Sequence, residues 1–389
     1  MGQFRFLTGG ESHGRGLVAI AEGMVAALSL KEEYINKELK RRQQGYGRGP
    51  RMKIEEDKAE IMAGVRYGFT TGSPIALFIT NRDWQNWQEQ LSVTPVEKEV
   101  EPVTCPRPGH ADLAGVTKYG LEDIRPVIER ASARETAARV AVGAIARKFL
   151  EEFGVSVHSH TTAIGRHHWE QGEVSSIDWQ QVEASPVRCN DAESGKAMMA
   201  AIDEAKASGD TLGGVLEVIA AGVPIGLGSY VSWDRRLDGR IAQAIMSVNA
   251  VKGVEIGAGF TLAGLKGSQA HDVIEPSSRS KAKWLPWQHA SNRAGGIEGG
   301  ISNGEDIIVR AAVKPIATLA SPLPSVDLRS GEKAKAHYER SDICVVPAAG
   351  VIAEAMLAIV LADACLEKFG GDNLKETLAN YRNYLSNIS

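Results

Sequence analysis

At 389 residues and a formal net charge of −4, with a pI near 6.2, the chain can bury a substantial core and lacks the basic surplus of a nucleic-acid coat. Its four cysteines, Cys105, Cys189, Cys344 and Cys365, stand at no metal-ligand or disulfide-framework spacing, which fits a reducing cytoplasm. Glu11 and Arg15 exclude a signal peptide at the start, and Glu354 and Asp363 interrupt the apolar run Val345 to Leu366, which reads as a buried helix and not a membrane span.

A β-patterned start, Gln3 to Leu7, leads into Gly10-Glu11-Ser12-His13-Gly14-Arg15-Gly16-Leu17. A histidine ringed by glycines has bare backbone around it, so a flat ligand and anionic groups can reach the imidazole. The competing reading is a Gly-rich turn whose histidine only caps a neighbour. Ser29-Leu30-Lys31-Glu32 has capping-box spacing, and Tyr34, Ile35 and Leu39 recur at helical intervals, which predicts a helix ending near Gly45. The glycine-rich stretch from Gly45 to Arg51 follows. There Arg42, Arg48 and Arg51 form either a solvated loop or a mobile guanidinium fence for phosphate or carboxylate.

Ala59 to Ala63 and Ile75 to Thr80 read as antiparallel strands around a turn-rich connection. The polar excursion from Asp83 to Pro108, with Trp84 and Trp87, has the character of a functional loop. It ends on Arg107-Pro108-Gly109-His110-Ala111-Asp112, a second histidine in a Pro-Gly turn. Val127 to Phe153 carries the strongest helical pattern. Within it Arg130 and Arg134 share a face and repel, unless an anion lies between them or Glu129 and Glu135 neutralise them. Gly154 to Ser208 contains His158, His160, His167 and His168 without a carboxylate or cysteine at recurrent spacing, so it reads as a solvated, variable segment and not a metal site.

Sliding the chain by 199 positions superposes Gly10, Gly14, Leu17, Ile20, Ala21 and Gly23 on Gly209, Gly213, Leu216, Ile219, Ala220 and Gly222, which suggests two related halves. Leu212 stands where His13 would repeat. A helical pattern over Leu237 to Val248 precedes Asn249 to Gly257, a loop near Trp284, and the nearly side-chain-free run Gly295 to Gly304. Lys314-Pro315-Ile316-Ala317-Thr318 offers an ammonium and a hydroxyl suited to a phosphate tail, and Arg340 to Cys344 precedes the apolar helix.

Together these motifs resemble the chorismate synthase family, in the family's order and over most of the chain. One departure is Ser341-Asp342-Ile343-Cys344, where many members have His-Asp-Pro-Cys. The resemblance implies an α+β fold, a helical layer sandwiched between two antiparallel four-stranded sheets, assembled as a homotetramer. This suits a single domain over 1–389 with internally duplicated halves at roughly 1–150 and 209–370 and a variable insert at 154–208. It implies the 1,4-elimination that converts 5-enolpyruvylshikimate 3-phosphate to chorismate and phosphate, the last common step toward aromatic amino acids. Reduced FMN is required, with electrons from NADPH or from a partner flavin reductase.

Carried over by position, His13 is implied as proton donor to the substrate phosphate, His110 as facing the flavin ring, and Asp342 as managing a proton at the flavin N5 edge. Arg42, Arg48, Arg107 and Arg134 are implied to hold the substrate's anionic groups, the first two also NADPH. The implied FMN contacts are Arg130, Ala131, Ser132, Asn249, Ala250, Gly299, Lys314, Pro315, Ile316, Ala317, Thr318 and Arg340. No metal, nucleic acid or membrane enters this scheme. Two readings of other kinds compete with it. Arg41, Arg42, Arg48 and Arg51 beside Tyr46 suit an anion- or RNA-binding regulatory module. A flavin enzyme passing hydride to a different substrate is the second.

Overall fold

The computed structural model describes residues 4–49, 55–97, 100–169, 174–276 and 285–388; Arg51 and Trp284 lie outside them. The first sheet is antiparallel, with β1 (Arg5–Gly10), β2 (Gly16–Glu22), β3 (Ala59–Ala63) and β4 (Ile75–Thr80) in the order β1-β2-β4-β3. In β2, buried Leu17, Ala19 and Ala21 alternate with exposed Val18, Ile20 and Glu22, so one face meets the core. Helix α1 (Glu32–Gln43) connects β2 to β3 and stops at the expected place. The capping box does not form. Ser29 is held in an extended bridge to Phe69, and Lys31 occupies the cap position without a side-chain bond.

The second sheet holds five strands where the resemblance implied four. They are β5 (Ser156–Ile164), β6 (His167–His168), β7 (Gly214–Ala221), β8 (Val251–Ile256) and β9 (Ile307–Val313), in the order β8-β9-β7-β5-β6. The extra member, β6, is a two-residue edge strand folded back on Ala163 and Ile164. Without it, β5-β7-β9-β8 repeats the order of the first sheet, and the helix Leu237–Met246 joins β7 to β8 as α1 joins β2 to β3. The reading of residues 154–208 as solvated fails here. β5 is largely buried inside the sheet, and the helix Ala192–Ser208 turns Met198 and Ile202 inward. The serines, threonines and histidines of β5 gave it a polar texture that concealed a central strand.

The pattern from Val127 to Phe153 is two helices, not one. After α2 (Asp112–Tyr119), α3 (Arg125–Ala131) ends where Ser132 turns extended at φ −64° and ψ 143°, and α4 (Thr136–Glu151) begins after a single 3-10 turn. The Ser132 hydroxyl accepts the Arg134 N–H at 3.3 Å and so restarts the chain as a cap. Arg130 and Arg134 therefore do not share a helix face.

The long helix Val346–Phe369 is buried along nearly its whole length and packs against α4. It touches β5 and β7, while α4 touches β1, β2 and β4 and also reaches β5. Length and composition would let it cross a membrane, but all of its most apolar window is buried inside the fold. The crossing with α4 is made at Gly143, where an added Cβ would stand 2.3 Å from the Ala355 Cβ. We expect Gly143→Ala to destabilise the protein by about 1–3 kcal/mol through overpacking, read as a lower midpoint of urea unfolding. The Gly295 to Gly304 run serves a backbone crossing too. A Cβ on Gly295 would lie 2.3 Å from the Gly257 nitrogen.

Candidate functional site

The first β-turn, the break between α3 and α4, the segment after β9 and the start of the long helix converge on a cavity of about 1030 Å³. His13 sits in the turn between β1 and β2. That turn is fixed by Asn81, which is buried at the end of β4 and donates from Nδ2 to the carbonyls of Glu11, Ser12 and Gly14 at 3.0, 3.2 and 2.8 Å. The imidazole Nδ1 lies 2.9 Å from Glu129 Oε1, and the His13 main-chain N–H donates to Glu129 Oε2 at 2.7 Å. The indole of Trp87 stacks on the imidazole at 4.2 Å between centroids. Glu129, which could have neutralised Arg130 and Arg134 in surface pairs, is instead 1% exposed, with Oε2 on the His13 main chain and Oε1 on the His13 ring and Arg125.

His110 is carboxylate-backed as well. Its Nδ1 lies 2.5 Å from Asp112 Oδ1 at the start of α2. Arg107 donates to the same carboxylate through Nε at 2.8 Å and Nη2 at 3.1 Å, and through Nη1 to Thr318 Oγ1 at 3.0 Å. This ties the 107–112 turn to the segment after β9. Burial opposes the Asp112 charge, but His110 and Arg107 outweigh it and hold the carboxyl well below the usual range.

Arg42 and Arg134 are both buried on Asp57. Arg42 Nη1 donates to Asp57 Oδ2 at 3.2 Å, and Arg134 Nη1 donates to Asp57 Oδ1. The counter-charge for Arg134 is thus Asp57, while Arg130 donates to the Thr8 carbonyl at 3.1 Å. Burial, with Arg48 and Arg134 nearby, pulls the Arg42 guanidinium down to about 10 although Asp57 opposes it. Asp342 accepts the Gly49 N–H at 2.5 Å and pairs with Arg48 at 3.4 Å, so the glycine-rich loop after α1 is joined to the residues preceding the long helix.

All three expected catalytic residues, all four substrate arginines and most of the expected flavin contacts line the one cavity. Arg130, Pro315 and Gly299 lie outside its lining, Gly299 in the tight turn between Ile297–Glu298 and Ile301–Ser302. Ala250 holds a left-handed φ of 68°, a strain that its carbonyl's bond to the Lys314 N–H and the Asn249 side chain's bond to the Ala131 carbonyl help sustain. Trp87, Asn81, Glu129, Arg125 and Glu339 belong to this site without having been singled out for it. The usable signal was the pair of tryptophans in a polar excursion.

The lining fits a flat ring carrying a phosphate. Ile128, Ala131, Val248, Ile316 and Ala317 supply apolar surface. Lys314 and Arg340 have no carboxylate within ion-pair distance among the described residues, unlike the other cations of the cavity wall. Lys314 donates to the Gly109 carbonyl at 2.6 Å, and burial together with the Lys252 charge lowers its ammonium from the ordinary lysine value. The arginine and tyrosine strip that suited an RNA binder dissolves. Arg41 is bonded to Glu38, Glu183 and Glu354, Arg42 to Asp57, and the Tyr46 hydroxyl to Asp203.

A sequence profile of the family described as "Chorismate synthase" matches residues 4–366. The chain is 57% identical over 390 residues to the chorismate synthase of Moorella thermoacetica, covering 99% of this chain and 100% of that one. It is 54% identical over 394 residues to the chorismate synthase of Aquifex aeolicus, covering 99% and 98%. A solved structure described as "Crystal Structure of Chorismate Synthase" superposes with a TM-score of 0.79 at 44% identity, covering 99% of this chain and 98% of that chain. An end-to-end match of this kind, on a chain whose two imidazoles and unmatched cations meet in one cavity, places it in the chorismate synthase family.

Proposed function

We propose that the chain catalyses the 1,4-elimination of phosphate from 5-enolpyruvylshikimate 3-phosphate to give chorismate, as a carbon–oxygen lyase using reduced FMN. The observation that carries this reading is the convergence of two carboxylate-backed imidazoles with Lys314 and Arg340 on one cavity. Reduced flavin, which Lys314, Thr318 and Arg340 would hold by its phosphate, would supply the electron density that loss of the substrate phosphate demands. His13 gives a proton to the departing phosphate, and His110 and Asp342 hold protons at the flavin edge. Arg42, Arg48, Arg107 and Arg134 neutralise the substrate's phosphate and carboxylates. Lys314, Thr318 and Arg340 would take the cofactor phosphate and Ala131, Ser132, Asn249, Ala250, Ile316 and Ala317 its ring and tail, while Arg130, Pro315 and Gly299, outside the lining, join the set on the family resemblance alone. Nothing among the relatives favours hydride transfer to another substrate.

The decisive experiment is anaerobic mixing of protein, reduced FMN and the enolpyruvyl substrate. Stoichiometric phosphate and chorismate are expected; absence of phosphate release removes the reading. We expect Lys314→Met to weaken FMN binding by about 10- to 100-fold, measured by quenching of flavin fluorescence, the effect of losing one charge-assisted phosphate contact.

The fold is read as one domain of two related halves enclosing a helical layer between the sheets. In support, one large core cluster takes residues from Phe4 to Tyr381, and the first four-stranded sheet and four strands of the second share strand order. Assembly as a homotetramer is supported by Leu7, Val18, Ile20 and Met62, which stand exposed on the first sheet. Four unbridged cysteines suit the cytoplasm. Electrons for the flavin come from NADPH near Arg42 and Arg48, or from a partner reductase.

A further inference from the structure

We propose that Glu129 is the positioning residue for His13. It holds the imidazole with Nδ1–H turned to α3, so that Nε2 delivers the proton to the departing phosphate; this rests on the reading of His13 as that donor. The Glu129 side chain is fully buried, and its two oxygens meet the ring nitrogen at 2.9 Å and the main-chain N–H at 2.7 Å of the same residue. The main-chain bond fixes where His13 sits. The Nδ1 bond decides which nitrogen keeps a proton when the ring is neutral. Trp87 covers one ring face, and the Arg125 guanidinium lies 5.1 Å from the centre of that indole while donating to Glu129 Oε1 at 3.3 Å. The imidazole is therefore held at one edge and one face.

In the step, the His13 Nε2–H bond breaks and an O–H bond forms on the phosphate as its bond to the ring carbon breaks. The imidazole is left neutral with Nδ1–H still on Glu129, and its next proton comes from water. Charges act on the ring from Glu129 on α3, which Arg125 pairs, and from Glu339 before the long helix; Glu11 lies near Glu129, and Asp83 accepts from the Trp87 indole. Burial, with Glu129 nearby, raises the Glu11 carboxyl, whereas His337, Arg125 and His13 hold Glu339 down to about 2 against its burial. Among the described residues, only Glu129 bonds a ring nitrogen of His13.

The test is Glu129→Gln in the full chain. Turnover should fall by about 10²- to 10⁴-fold, the range for an imidazole that loses its orienting carboxylate, with KM changed by less than about threefold. Glu129→Asp keeps an accepting carboxylate and should restore part of the lost turnover, whereas turnover in Glu129→Gln close to that of the parent overturns the proposal. Nitrogen NMR of histidine-labelled wild-type protein, with His13 assigned from its missing signal in His13→Ala, needs no folded Glu129 variant. A neutral Nδ1–H tautomer is expected, and an Nε2–H tautomer overturns the proposal. Normal turnover in His13→Ala overturns the donor reading and this proposal with it; a crippled His13→Ala beside an Nε2–H tautomer overturns this proposal alone.

Discussion

Replacing His13 or His110 with alanine should lower turnover by about 10²- to 10⁴-fold, the range for removing a positioned acid or base. The two losses differ in kind. His13 is buried against Trp87 and Glu129 and bonds neither Lys314 nor Arg340, so its alanine variant should bind flavin as the parent does and lose only the chemical step. His110 shares its turn with Gly109, whose carbonyl holds Lys314, so its variant should lose turnover and weaken flavin binding together. Single-turnover phosphate release under anaerobic conditions, beside flavin titration, separates the two. Turnover close to that of the parent in either variant would remove that histidine from the chemistry. Neither removal should disturb the core, since the sheets and the α4 crossing do not depend on these side chains.

Replacing Glu354 with alanine should cost about 3–5 kcal/mol of stability, the range for removing one partner of a buried ion pair. Glu354 lies within the long helix, where its Oε2 accepts from Arg41 and Arg147 at 2.7 Å each. Its Oε1 accepts from Ser159 at 2.6 Å, Arg41 at 3.0 Å and Arg188 at 3.2 Å. Three guanidinium groups from α1, α4 and the stretch after β5 thus share one carboxylate, helped by Glu38 and Glu183. Without Glu354 they repel in a desolvated interior. Urea unfolding should show the loss, and an unchanged midpoint would mean that water reaches the cluster.

The same cluster gives a pH dependence with a definite sign. Burial opposes the Glu354 charge, but Arg41, Arg147 and Arg188 outweigh it and hold its carboxyl well below the ordinary value of 4.5; Glu183, bonded to Arg41 and Arg188, is held down to about 2 in spite of its burial. Groups depressed by folding stabilise the protein above their unfolded value and release that stability as pH falls through the folded one. Stability should therefore hold near neutrality and fall from about pH 4.5 downward. In Glu354→Gln this acid-side slope should be shallower.

Some of this molecule could be read from neighbours along the chain. Ala59–Ala63 and Ile75–Thr80 form strands at those bounds, α1 stops beside Gly45, and the apolar run near the C-terminus is a core helix. His13, His110 and Asp342, whose roles the resemblance implied, line one cavity. The partners of those groups were not legible in the same way. Glu129 lies 116 positions from His13, and Glu354 lies 313 from Arg41. Local periodicity reports only on residues a few positions away, so it could not say that Asp57 answers both Arg42 and Arg134, or that β5, polar in texture, is buried inside a sheet. The order of residues alone determined the bounds of β3 and β4, the end of α1 and the apolar helix near the C-terminus. Which carboxylate faces which cation was decided by packing, because a charge taken out of water must find its partner through space, wherever along the chain that partner lies.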